Sequence, residues 1–328
     1  MRHRGLIACT LTALLGACAP SAADAPIAEQ WRAVEVSAAP IAFEEARVGQ
    51  LLFRGGLALS SEDPVFGGFS GLEVLEDGRL VAISDNGVWF EARLVLDDAG
   101  ALVGVADMRT ALMRDESGQP FPNKRAGDSE GLAQLADGRF AVSFEQTQSI
   151  RIYDLNRDGP FGGAIAGPAL GATANLPDNV GLEAMAATPD GALLIGAEGG
   201  GAATTPLWRA PLDAREPVAP IGLYALERGY SLTSLDRLPD GGFVALERFY
   251  APVVGARARI TRFGEEALGE VGADVLALIA PPMPIDNFEA VSAVRAPDGA
   301  VRLYILSDDN FSDRQRTLLF AFDVAQGR

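Results

Sequence analysis

Hydrophobic positions along this chain fall into short runs that come in pairs. The clearest pair is Gly181-Leu182-Glu183-Ala184-Met185-Ala186-Ala187 and Ala192-Leu193-Leu194-Ile195-Gly196-Ala197-Glu198, joined by Thr188-Pro189-Asp190-Gly191. It predicts a strand, a tight turn and a second apolar strand that ends on a carboxylate. Asp-Gly between two β-like runs is a strong hairpin signal, because glycine accepts the positive φ that the turn requires. The same shape is written four more times. Ser70 to Gly87 turns at Asp77-Gly78 and ends at Asp85, and Glu130 to Gln146 turns at Asp137-Gly138 and ends at Glu145. Ser231 to Arg248 turns at Asp240-Gly241 and ends at Glu247, and Glu289 to Asp309 turns at Asp298-Gly299 and ends at Asp308.

The turn aspartates stand 60, 53, 50 and 58 residues apart, and an acid follows each of the five by seven to ten residues. A repeat of that length holds four strands, which predicts an all-β chain folded as a single β-propeller. Five turn motifs predict five blades. A sixth stays open if residues 31–66 supply more than one strand. Arg47 to Ser60, interrupted by Gly55-Gly56, is expected as the outer strand of the last blade, paired with Thr317 to Val324. That pairing would close the ring with the two ends of the chain and remove free sheet edges. Residues 109–128 form a polar stretch longer than a blade connection needs, of the kind that lines a binding site.

The first 17 residues read differently. Arg2 and Arg4 precede an apolar run from Leu6 to Ala17, too short to span a bilayer and suited to a signal peptide. The run ends Leu15-Gly16-Ala17-Cys18, which resembles a bacterial lipobox and predicts Cys18 as the lipidated first residue of the mature chain. Residues 18–30, rich in Ala, Pro and Ser, read as a tether, and 31–328 as the propeller domain. This predicts an outer-membrane lipoprotein facing the periplasm, touching the membrane only through its anchor. A plain secretory signal is the competing reading.

Composition narrows the chemistry. Of 328 residues, 48% are apolar and 22% charged, with 37 glycines, which fits a turn-rich globular β protein with a large core. Loss of residues 1–17 removes two arginines and no acid, taking the formal charge from −17 to −19. Such a surface repels nucleic acid, so none is expected as a partner, and a monomer is expected. The only histidine, His3, and the other cysteine, Cys9, leave with the signal peptide. A Ser-His-Asp triad, a cysteine nucleophile and a His-ligated zinc are thereby excluded from the mature chain. What remains is carboxylates, arginine, hydroxyls, backbone groups or a hard cation.

Two acidic series follow from the repeat. Glu73, Glu130, Glu183 and Glu289 lie on first strands; Asp85, Glu145, Glu198, Glu247 and Asp308 end second strands. In a propeller the innermost strands line a central channel, so both series are candidate metal ligands there. With no soft donor available the expected ion is Ca²⁺. Glu130, Glu183 and Arg248 are the candidate catalytic residues. Arg314, Arg316, Arg125 and Lys124, the chain's one lysine, are further cationic candidates. Each acid could instead cap a turn or pair with an arginine.

Several of these stretches resemble a known family. They include Gly67-Gly68-Phe69-Ser70-Gly71-Leu72, Ile83-Ser84-Asp85-Asn86-Gly87, Asp128-Ser129-Glu130-Gly131-Leu132 and Leu246-Glu247-Arg248. Asp286-Asn287-Phe288-Glu289 and Leu306-Ser307-Asp308-Asp309-Asn310-Phe311-Ser312 complete the set. Together, from about Val48 to Val324, they resemble the bacterial family described as having esterase-like activity of phytase. The resemblance implies a cell-envelope propeller with a hydrolase function, acting on a small-molecule ester or phosphoester. Gln148 stands where relatives carry a more basic run, and no strongly basic pocket is visible, which weakens a phosphate-ester reading. A non-catalytic propeller that binds a ligand or an envelope protein is the alternative.

Overall fold

The computed structural model describes residues 31–325, except 172–175, 177–179, 215, 265–269 and 272. The expected signal peptide, Cys18 and the tether lie outside the described residues.

Each Asp-Gly pair makes the turn that the sequence predicts. The glycines Gly78, Gly138, Gly191, Gly241 and Gly299 have φ between 81° and 102°, a region closed to most side chains. Three turn aspartates also accept a backbone N–H two residues on, at Arg79, Arg139 and Ala300. The hairpins seed five antiparallel sheets, so the repeat count of five is the blade count.

Blade 1 runs Phe69–Val74, Arg79–Ser84, Val88–Leu96 and Leu102–Leu112, with Arg32–Ala33 on its edge. Blade 2 runs Ser129–Gln134, Phe140–Phe144, Ser149–Tyr153 and Ile165–Ala166. Blade 3 runs Ala184–Ala187, Ala192–Gly196, Thr204–Pro211 and Gly222–Ala225, and Glu270–Val271 joins its edge in parallel. Blade 4 runs Tyr230–Arg237, Phe243–Ala251, Gly255–Phe263 and Asp274–Ile279. Blade 5 takes Asn287–Arg295, Val301–Asp308 and Thr317–Val324 from the C-terminus, then Leu51–Ser60 and Ser37–Pro40 from the N-terminus. Thr317 pairs with Leu59 and Val324 with Leu51, which is the predicted closure. Residues 31–66 therefore complete blade 5 and edge blade 1 rather than build a sixth.

The first strand of each blade packs on the first strand of the next, and that of blade 5 returns to that of blade 1. The apolar residues then sort by strand periodicity. In Arg79–Ser84, Leu80 and Ala82 face blade 5 while Val81 and Ile83 face blade 2. Both faces of each blade are buried, so the strands read as unbroken apolar runs. The core is five slabs, one between each pair of neighbouring blades.

All five Asp-Gly turns lie at one end of the channel. The opposite end, where first strands begin and second strands finish, is called here the mouth.

Candidate functional site

Main-chain pairing fixes which residues share a level at the mouth. The Asp85 N–H donates to the Gly68 carbonyl at 2.9 Å, that of Glu145 to Asp128 at 2.9 Å, and that of Glu198 to Gly181 at 3.0 Å. In blades 4 and 5 the equivalent partners are Arg248 with Ser231 and Asp308 with Asn287. The ring of second-strand ends is therefore Asp85, Glu145, Glu198, Arg248 and Asp308.

Glu247, expected in that ring, is one residue out of step. Successive residues of a strand face opposite sides, so its side chain turns into blade 4 and is fully buried there. It accepts from the Tyr224 hydroxyl at 2.7 Å and pairs with Arg259 at 3.0 Å. Blade 4 gives the mouth a guanidinium instead of a carboxylate.

The inner ring comes from a local irregularity. In blades 1, 2, 4 and 5 the register between first and second strands slips at one point, spanning Ser70, Glu130-Gly131, Thr233 and Glu289. Such bulges re-aim a side chain, here toward the axis. Glu183 stands at the same offset just before Ala184–Ala187. The inner ring thus reads Ser70, Glu130, Glu183, Thr233, Glu289. Glu73, expected with the mouth acids, lies nearer the turns. Its Oε1 accepts the Gln134 N–H at 2.7 Å, and it faces Asp236 across the channel. Both line a cavity of about 680 Å³ that opens at the turn end.

Glu130, Glu183 and Glu289 converge from three blades. Burial, then the charges of Asp128, Glu145, Glu289 and Asp85, push the Glu130 carboxyl well above its ordinary range. Burial, then Glu198, Glu289 and Glu130, do the same to Glu183. Burial raises Glu289 to about 7 against the opposing pull of Arg248, and raises Asp308 to about 7 with help from Asp85 and Asp309. Crowded carboxylates that are half-buried or buried resolve in two ways: they keep protons, or a cation joins them.

Two side-chain cations already reach the mouth. Arg248 lies 3.3 Å from Glu198 and 3.3 Å from Glu289, and donates to Asn287 Oδ1 at 2.9 Å. Lys124, on the short helix Lys124–Gly127, bonds Asp85 and lies 3.2 Å from Asp128. Of the stretch 109–128, residues 109–112 finish the strand Leu102–Leu112, and the remaining connection brings Lys124 to the mouth. Arg316 pairs with Asp286, and Arg125 and Arg314 are exposed.

Beside Lys124, Asp128, Glu130 and Glu145 each bring one carboxylate oxygen to within 4.8 Å of the others. Oxygen donors at about twice a Ca²⁺–O distance suit a hard divalent ion. Asp128 is the candidate ligand that the repeat did not point to. Its signal was present in Asp128-Ser129-Glu130, echoed by Asn287-Phe288-Glu289: a polar residue two before two of the three inner-ring acids, with Gly181 in that place before Glu183.

A five-bladed propeller with an acidic channel mouth is the class these features define. The model of the phytase-like family, esterase-like activity of phytase, matches residues 64–311, and the chain belongs to that family. The comparison with curated proteins returned no match. Among solved structures the chain is similar to an endo-arabinase from Bacteroides thetaiotaomicron, at 12% identity and TM-score 0.47, covering 78% of this chain and 94% of that one. It is also similar to the PQQ-bound aldose sugar dehydrogenase of Streptomyces coelicolor, at 13% and 0.43, covering 88% and 98%. A third is virginiamycin B lyase of Staphylococcus aureus, at 10% and 0.39, covering 84% and 82%. At these levels the likeness carries nothing about chemistry.

Proposed function

We propose that the protein is a metal-assisted hydrolase of an ester or phosphoester, acting at the channel mouth. The observation that carries this is the approach of Asp128, Glu130 and Glu145 to one another beside Lys124, at a mouth that also holds Arg248 and two carboxyls raised to about 7. Asp128, Glu130 and Glu145 would hold Ca²⁺, which when bound supplies a Lewis acid for the ester oxygen. Arg248, held by Glu198, Glu289 and Asn287, presents fixed positive charge to an anionic or polarised oxygen. Glu289 and Asp308, each raised to about 7, can take or give a proton where an ordinary carboxylate could not. Burial, then Glu198, Glu289 and Glu130, favour the protonated form of Glu183.

The test is metal content of the purified protein together with turnover of nitrophenyl acetate and nitrophenyl phosphate, with Ca²⁺ or EDTA. Activity that EDTA removes, and that Glu130→Gln lowers by about 100-fold, is the expected result. A protein that binds Ca²⁺ but turns over nothing would be a ligand-binding propeller, a reading that the lack of any imidazole in residues 31–325 favours. We also propose lipidation at Cys18 and residence in the outer membrane; fatty-acid labelling that survives Cys18→Ala would refute it.

A further inference from the structure

We infer that Phe311 is a specificity-determining residue of the mouth, a platform for a flat apolar group, so that the preferred substrate is an aryl ester or aryl phosphoester. The inference rests on the hydrolase reading above. Asp309 to Ser312 form a tight turn closed by the Ser312 N–H on the Asp309 carbonyl at 2.9 Å. Both central residues are left-handed, Asn310 at φ 50° and Phe311 at φ 49°. Asparagine tolerates that region. A bulky aromatic does not, and the second position is where such turns take glycine.

Four hydrogen bonds hold the strained turn in place. Asp308 Oδ1 accepts the Asn310 N–H at 2.7 Å, and Asp309 Oδ1 accepts those of Phe311 at 3.0 Å and Gly68 at 3.1 Å. Asp309 Oδ2 accepts from the Thr317 hydroxyl at 2.9 Å. Core packing does not explain the residue, because Phe311 is 44% exposed. Its ring lies on Gly68, where a side chain would collide with both that ring and Asp85 Oδ1. Asp85 is joined through Lys124 to Asp128 of the acidic triad. An exposed aromatic face, set at conformational cost beside Asp85 and linked through Lys124 to Asp128, suits a substrate ring whose ester group reaches the acids of the mouth.

The experiment compares naphthyl acetate with ethyl acetate on wild-type, Phe311→Asn and Phe311→Tyr proteins with Ca²⁺ present. Binding of 2-naphthol, the neutral ring product, is measured in parallel by saturation-transfer NMR. Phe311→Asn should lower kcat/KM for naphthyl acetate by about tenfold, through KM, and weaken 2-naphthol binding similarly. Ethyl acetate should be unaffected, and Phe311→Tyr should behave as wild type. Relief of backbone strain and loss of ring contact oppose each other, so the melting temperature should move by no more than about 2 °C. Equal losses on both esters, or 2-naphthol binding indifferent to residue 311, would overturn the inference. If wild-type protein cleaves neither ester and no nitrophenyl phosphate, the hydrolase reading falls and 2-naphthol binding alone decides the platform.

Discussion

Glu247 and Arg248 are adjacent and do opposite things. Arg248 stands in the mouth, whereas Glu247 is sealed in blade 4 among Tyr224, Arg259 and Thr261. Burial raises the Glu247 pKa, and the Tyr224 hydroxyl and Arg259 pull against it. Removing one member of a buried ion pair strands the other. Glu247→Ala should therefore lose about 3 kcal/mol in denaturant unfolding while Ca²⁺ binding is unchanged. A lost metal with unchanged stability would return Glu247 to the mouth. Glu73 and Asp236 carry the opposite lesson about pH. Burial first, and then Asp236, raises Glu73 well above its usual range, and burial takes Asp236 to about 7. The folded chain thus keeps protons that the unfolded chain gives up above about pH 4. Its stability falls as pH rises from about 4 to about 7. Glu73→Gln keeps an acceptor for the Gln134 N–H but removes the second charge. The variant should match wild type near pH 4.5 and exceed it by about 2 kcal/mol at pH 8. Coincident stability curves across that range would show that the pair carries no such penalty.

At the level of elements, the Asp-Gly turns were legible because their chemistry is local: aspartate and glycine suffice to make the turn wherever apolar strands flank it. The bulges were not legible, since they arise only when two strands are paired and one carries an extra residue. The repeat therefore points to the right stretches, yet it does not distinguish Arg248 from Glu247 in the ring or separate Glu73, at the turn end, from the acids of the mouth. For the same reason it does not mark Asp128, set by its backbone partner Glu145. Gly131 ties the bulge of blade 2 to its neighbour. A Cβ there would meet the Glu183 carbonyl oxygen at 2.5 Å and Ser143 Oγ at 2.8 Å. Ser143 Oγ itself accepts the Gly131 N–H at 2.8 Å and donates to the Leu182 carbonyl. Gly131→Ala should force blades 2 and 3 apart at the mouth, cost about 2 kcal/mol, and displace Glu130 from Asp128 and Glu145. Terbium luminescence at the acidic triad should fall with it, and full retention of lanthanide affinity would mean that the triad is not built on this bulge.

Over the whole molecule, closure depends on a strand from each terminus meeting in blade 5, and one buried ionic knot marks the seam. Asp323, on the last strand, accepts from Arg302 Nε at 2.7 Å and also pairs with Arg54 from the N-terminal strand. Arg302, nearly inaccessible to solvent, reaches on to the Gly100 carbonyl of blade 1. The knot therefore joins Leu51–Ser60 to Thr317–Val324 and blade 5 to blade 1. Replacing Asp323 by Asn leaves one neutral acceptor for two guanidiniums, one of them buried without compensation. The expected cost is about 3–5 kcal/mol. The position of the loss matters more than its size. Because Leu51–Ser60 is hydrogen-bonded to Thr317–Val324 on one side and to the short strands Ser37–Pro40 and Arg47–Val48 on the other, its amides should lose hydrogen-exchange protection before those of Phe243–Ala251. Uniform loss of protection across all five blades would instead mean that the ring opens as one unit and that the termini are no weaker than any other junction.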